Sequence, residues 1–181
     1  MASDNVVIQC AACGDPAALS TLLAHPNDYI VSVAGCGYTD LLGQLIANGG
    51  DPSYSEESLL PVEAAAGGGR AACLKLLIDK GATVPSELRD DLTVLMLAVV
   101  GGHADCADII VKQGVDVNIK NSSGYTALML AAKVGRVECV KLLLRSGCDV
   151  SIKDNDGQTA LDLADAWEHP ECAELIRNSK A

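Results

Sequence analysis

The chain has 181 residues, 49% of them hydrophobic and 20% charged, a balance that excludes intrinsic disorder and suits one domain with a sizeable core. Aromatic residues make up only 3% and Phe is absent, so the core must be assembled from Leu, Ile, Val and Ala. Lys+Arg total 13 against 24 Asp+Glu, and the net charge of −11 excludes a duplex-coating nucleic-acid binder, which needs a basic surface.

At the N-terminus, residues 1–14 lack the basic start of a secretory signal, and Ala2 stands where N-myristoylation requires Gly. The longest apolar run, Thr93 to Val100, falls far short of the roughly 18 residues a membrane span needs. A cytoplasmic or nuclear location is therefore expected, with no secretion and no membrane partner. On that route the sequon Asn121-Ser122-Ser123 stays unused.

The first helix pair is expected at 1–25, broken at Gly14 and carrying Leu19, Leu22 and Leu23 behind the break. A second, at 26–54, breaks at Gly37 and ends in Leu45-Ile46-Ala47-Asn48-Gly49-Gly50-Asp51-Pro52. Gly14 and Gly37 are only 23 residues apart, which predicts that the turn finger between these two pairs is missing. From residue 55 onward a 33-residue step governs the chain. Pro61-Val62, Ala65, Gly69, Cys73 and Gly81 are followed by Thr93, Leu95, Ala98, Gly102, Cys106 and Gly114. The same step then aligns Gly124 with Gly157, Thr126 with Thr159, Leu128 with Leu161 and Cys139 with Cys172. Further pairs are thus expected at 55–87, 88–120, 121–153 and 154–181.

The physical content of one repeat is readable at 121–153. Thr126 sits where an N-cap hydroxyl belongs, ahead of a helix over Ala127–Lys133. Gly135 breaks that helix, and Val137–Ser146 form a second with Val140, Leu142, Leu143 and Leu144 apolar. Gly147 is placed as a left-handed C-cap, and the Gly, Asn, Asp and Ser that follow read as a turn to the next pair. A helix pair this small cannot bury its own apolar faces, so stacked neighbours must complete them.

The stretches GYTALMLAAKVGRVECVKLLLRSGCDV (124–150), TVLMLAVVGGHADCADIIVKQGVDVN (93–118) and GQTALDLADAWEHPECAELI (157–176) resemble the ankyrin repeat. The family's Thr-Pro-Leu-His tetrapeptide stands here as Thr126-Ala127-Leu128-Met129, Thr93-Val94-Leu95-Met96 and Thr159-Ala160-Leu161-Asp162. Its Pro remains only as Pro61 and its His nowhere, so the resemblance does not carry over the hydrogen bonding that this His provides. The match is strong over 88–181, good over 55–87 and weak over 1–54. It implies an all-α solenoid of about six stacked helix-turn-helix repeats with turn or β-hairpin fingers. The chain is then expected as one small domain, 1–181, capped by repeats 1–25 and 154–181.

Several motifs invite chemistry and fail on physical grounds. Cys73, Cys106, Cys139 and Cys172 form one column, but adjacent helices lie roughly 8–10 Å apart while a disulfide needs Cα atoms about 4.4–6.8 Å apart. They read as small apolar fillers, and all eight cysteines are expected reduced. Cys10-x-x-Cys13 has neither a βαβ context nor a second pair at zinc spacing, although Cys36 could approach Cys13 in a non-native oxidation product. Asp154-Asn155-Asp156-Gly157 fails as a calcium loop, because Ile152 and Leu163 would occupy its first and last ligand positions. Gly67-Gly68-Gly69-Arg70 lacks the Gly-Lys-Ser/Thr ending of a phosphate loop and aligns with the inter-helix turn Lys133-Val134-Gly135-Arg136. Of the three histidines, His25, His103 and His169, the last two share a column after the inter-helix break, and none has a defensible nucleophile partner.

No catalytic residue, cofactor or metal is expected. The resemblance implies a monomeric, non-enzymatic module or adaptor binding an unknown protein partner on a concave helix-and-finger surface. A protein that clamps and inhibits an enzyme such as a kinase is the alternative, and a thiol or metal protein is the alternative of another class. Charge runs −8 over 1–69, −1 over 70–120, +3 over 121–153 and −5 over 154–181, so one basic band interrupts an acidic chain. Lys133, Arg136, Lys141 and Arg145, flanked by Lys120 and Lys153, form that band and could meet an acidic patch on the partner. The family's variable contact positions, carried onto this sequence, are Arg89, Asp90 and Leu92, then Ser122, Ser123 and Tyr125, then Asn155, Asp156 and Gln158. The helix-end column is Gly68, Gly101, Val134 and Trp167, where Trp167, the only Trp, either anchors the partner or covers the end of the last repeat.

Overall fold

The computed structural model describes residues 2–55, 59–86 and 91–179, with side chains from residue 5 onward. Twelve helices lie among the described residues, all between seven and eleven residues long. The chain divides into two compact parts, Met1–Val84 and Pro85–Ala181.

The N-terminal part holds α1 (Ala2–Ala12), α2 (Pro16–Ala24), α3 (Asn27–Cys36), α4 (Thr39–Ala47), α5 (Pro61–Gly67) and α6 (Ala71–Asp79). Each odd helix packs against the even helix after it, the odd helices stack in one row, and the even helices stack in another. Ile8, Leu22, Ile30, Leu42, Leu45, Leu74 and Leu77 are fully buried between the rows. Only His25 and Pro26 separate α2 from α3, so the finger missing from the sequence spacing is missing from the structure too. Asp15 caps α2, its Oδ1 accepting from the Ala17 N–H at 2.9 Å.

The C-terminal part repeats the arrangement with α7 (Val94–Gly101), α8 (Ala104–Val111), α9 (Ala127–Val134), α10 (Val137–Arg145), α11 (Ala160–Ala166) and α12 (Pro170–Asn178). First helices α7, α9 and α11 stack in one row and α8, α10 and α12 in the other. Thr93, Thr126 and Thr159 start the first helices with side-chain oxygens that accept from the N–H groups of Met96, Met129 and Asp162. The residues that stand where the family has His close these caps in their own ways. Met129 Sδ accepts from the Thr126 N–H at 3.4 Å, and Asp162 Oδ2 accepts from the N–H and the hydroxyl of Thr159, both at 2.7 Å. In the N-terminal part Glu63, also buried, accepts from the Leu60 N–H at 2.8 Å.

The four cysteines of the column are buried, with Cys106 and Cys139 1% exposed and Cys73 and Cys172 not at all. Burial pushes the Cys106 thiol up to about 11, with Asp105 adding to it, and burial likewise raises Cys73, Cys139 and Cys172. Cys148, half-buried, is pushed up to about 11 chiefly by burial. Cys13 and Cys36 are exposed. Because the thiolate is the nucleophile, native protein at pH 8 should alkylate rapidly at Cys10, Cys13 and Cys36 and slowly at the other five, while unfolded protein should yield eight adducts. Mass spectrometry of timed alkylation checks this, and rapid labelling of Cys106 or Cys139 contradicts it. The raised Cys106 value also fixes a sign: the folded state keeps a proton that the unfolded thiol releases near 9.0, so stability is full below pH 9 and falls as pH rises towards about 11. Cys106→Ala should flatten part of that fall in denaturant titrations across this range.

Candidate functional site

The first helices leave carbonyl groups at their C-termini without intrahelical partners. In both parts the next helix pair supplies the donor. Arg70 Nε donates to the Gly35 carbonyl at 3.1 Å in the N-terminal part, and Arg136 Nε donates to the Val100 carbonyl at 3.0 Å in the C-terminal part. His169 Nε2 lies 3.2 Å from the Lys133 carbonyl, and since a carbonyl only accepts, the ring carries its proton on Nε2. Arg70, Arg136 and His169 occupy one column of the 33-residue step, each immediately before a second helix. The two guanidinium groups, as cations at a helix C-terminus, also complement its dipole. Gly135 shows how close the approach is. It sits at φ 72°, and a Cβ there would meet the His169 ring at 2.6 Å.

The fingers stitch neighbouring pairs on a second line. The turn Asn121–Tyr125 closes through the Asn121 N–H to the Tyr125 carbonyl at 3.0 Å, and the turn Asp154–Gln158 closes in the same way at 2.9 Å. Asn155 joins the two turns, its Nδ2 donating to the Ser122 carbonyl at 2.7 Å and its N–H to the Ser123 carbonyl at 3.2 Å. A side chain at Gly124 would meet Asn155 Oδ1 at 2.7 Å, so the contact requires glycine there. Ser122 in turn gives its N–H and hydroxyl to the two carboxylate oxygens of Asp91, at 2.6 and 2.7 Å.

The residues expected to contact a partner therefore divide. Arg89 and Asp90 lie outside the described residues. Ser122 and Asn155 hold the fingers together, Ser123 through its carbonyl, and Arg136 is engaged in the carbonyl clamp. Leu92 and Gln158 are half-buried, whereas Asp156 is exposed at the tip of its turn. Asp154, itself buried, shapes that turn, its Oδ1 accepting from the N–H groups of Asp156 and Gln158 at 3.0 and 2.8 Å. Among the described residues, no group of three or more His, Cys, Asp or Glu stands close enough to hold a metal ion.

Tyr125, Lys133 and Trp167 come together. Lys133 Nζ lies 4.7 Å from the centroid of the Tyr125 ring and 5.3 Å from that of Trp167, and it donates to Tyr125 Oη at 3.4 Å. Trp167 is 55% exposed at the end of α11, and Val134, one 33-residue step earlier at the end of α9, is 39% exposed. Lys141, Lys120 and Arg145 of the basic band are engaged elsewhere. Lys141 pairs with Glu138 at 2.8 Å, whose hydrogen bond holds the ammonium value up, and with Glu171 at 3.8 Å. Lys120 donates to the Lys153 carbonyl and Arg145 to the Lys141 carbonyl.

Family models for one repeat family match the chain over residues that form these helix pairs and fingers. The model for ankyrin repeats (3 copies) matches residues 29–121, about half the chain, and that for ankyrin repeats (many copies) matches residues 110–164. The chain belongs to the ankyrin-repeat family. A search of curated proteins finds no match. This ankyrin-repeat protein extends its helical pairing beyond the matched residues, since α1, α2 and α12 lie outside both matches. Among the described residues, no helix is long and apolar enough to cross a membrane. In the sequence, Arg136 and Lys133 stand together as partner-facing cations of the basic band. The signal that separates them is the column Arg70, His103, Arg136 and His169, whose members all carry a side-chain N–H donor.

Arg136→Ala in the ankyrin-repeat protein should lower unfolding free energy by about 1 kcal/mol, the usual worth of a half-buried hydrogen bond. Lys133→Gln leaves no buried carbonyl without its donor and should cost less, about 0.5 kcal/mol for the weakened ring contacts. Urea titrations of both variants check the pair, and equal effects would contradict the division.

Proposed function

We propose that this protein is a non-enzymatic interaction module that binds a partner protein on the face made by its first helices and fingers, centred on Tyr125, Lys133, Val134 and Trp167. Ankyrin repeats are generally protein–protein interaction modules. The observation that carries the choice of surface is the meeting of a half-buried finger tyrosine and first-helix lysine with an exposed helix-end tryptophan. Aromatic residues at a helix end supply large contact area at little entropic cost, and Tyr and Trp are favoured interface anchors. The frame beneath them is tied down by the carbonyl clamp and the finger stitch, so little order remains to be gained on binding.

Capture from a native cell extract, with wild type compared against the Tyr125→Ala and Trp167→Ala variants, tests the reading. Each substitution should weaken retention of the specific partner by more than about 1 kcal/mol and leave the melting temperature nearly unchanged. Lys133→Glu should slow association at low ionic strength, with the difference shrinking as salt is added. Arg136→Glu does not test the same point, because it also breaks the clamp. Equal retention by all variants would refute this surface, and a large fall in melting temperature for Trp167→Ala would assign that residue to covering the end of the stack.

A further inference from the structure

Lys133 is held without being neutralised. Its ammonium is flanked by two aromatic rings and gives one hydrogen bond to a neutral phenol oxygen. Among the described residues no carboxylate pairs with it, whereas Lys112 and Lys141 on the second helices have Asp108 and Glu138 at 2.6 and 2.8 Å. Cation–π contacts fix the position of a cation and leave its charge in place, and an ammonium has three donors, of which the Tyr125 bond uses one. Trp167, whose ring flanks the ammonium, and Val134, the next residue of α9, are two of the four exposed large hydrophobic side chains among the described residues. A positioned positive charge next to an exposed indole is the complement of a carboxylate next to an apolar side chain.

We propose that this cluster takes one carboxylate side chain, Asp or Glu, together with an adjacent apolar residue of an extended partner segment. The carboxylate accepts from Lys133 Nζ, and the apolar neighbour covers Trp167 and Val134. A cationic partner residue would have to displace Lys133 from both rings, so the geometry selects against it. The chain as a whole carries −11, so a run of acids would be repelled; the segment presents a single carboxylate among apolar residues instead of an acidic tract. This inference rests on the interaction-module reading, and it narrows the partner's chemistry.

The test selects random phage-displayed dodecapeptides on the wild-type protein and measures synthetic, Trp-free versions of the selected sequences through the emission of Trp167, the only Trp in the chain. The expected result is a shared motif of one Asp or Glu beside Leu, Ile, Met or Phe, without Lys or Arg at the adjoining positions. Binding should fall about tenfold on Lys133→Gln in the protein or on Glu→Gln in the peptide, and the two losses should not add. Lys133→Arg should retain binding, which separates the charge from the fold. A basic or uncharged motif, binding indifferent to Lys133→Gln, or no selected motif would each overturn the proposal. The module reading is judged apart from it, by whether the native partner is still retained from extract through Tyr125 and Trp167.

Discussion

None of these helices is long enough to be stable alone, and that constraint organises the whole molecule. Seven to eleven residues lie below the roughly 12–15 at which an isolated helix becomes even marginal in water, so the helices depend on lateral packing. Ala65, Ala98, Ala131 and Ala164 recur at the 33-residue step and are completely buried, which lets the first helices within each part approach closely. Close approach exposes a second requirement, because carbonyls at the helix ends and in the fingers then lie between layers and need donors. Arg70, Arg136 and His169 meet it at the helix ends, and Asn155 meets it in the fingers.

The candidate site arises where that structural pattern is departed from. At the helix-end column, Gly68, Gly101 and Val134 give way to Trp167, and at the next column the left-handed glycines Gly69, Gly102 and Gly135 give way to Glu168 at φ 58°. A non-glycine residue in that region costs on the order of 1 kcal/mol or more. Glu168 takes at a cost the conformation that glycine adopts freely in the other repeats, and the Trp167 before it is exposed. Departures of this kind, set on a frame held rigid by clamp and stitch, are where a repeat protein can carry specificity.

Much of the frame was legible in the sequence because it depends on local chemistry repeated at a fixed step. The Thr caps, the breaks at Gly14, Gly37 and Gly135 and the missing finger before α3 all follow from residues with strong backbone preferences. The roles of the cations were not legible. Lys133 and Arg136 are three residues apart with equal charge, and only their surroundings separate them: one lies between two aromatic rings, the other reaches a carbonyl 36 positions earlier. The substitutes for the missing His also escaped the sequence reading. A buried Glu, a Met sulfur and an Asp all close a helix start there, by geometries that no single pattern of residue types predicts.

Each helix pair is held by its neighbours and not by itself. Hydrogen exchange on Ala131→Gly tests this most directly, because the substitution removes no contact beyond one methyl group and costs α9 about 1 kcal/mol of helix propensity. The predicted result is a loss of amide protection in α7 and α11 as well as in α9 and α10, since neither flanking helix has another source of stability on that side. Protection lost from α9 and α10 alone, with α7 and α11 unchanged, would contradict it.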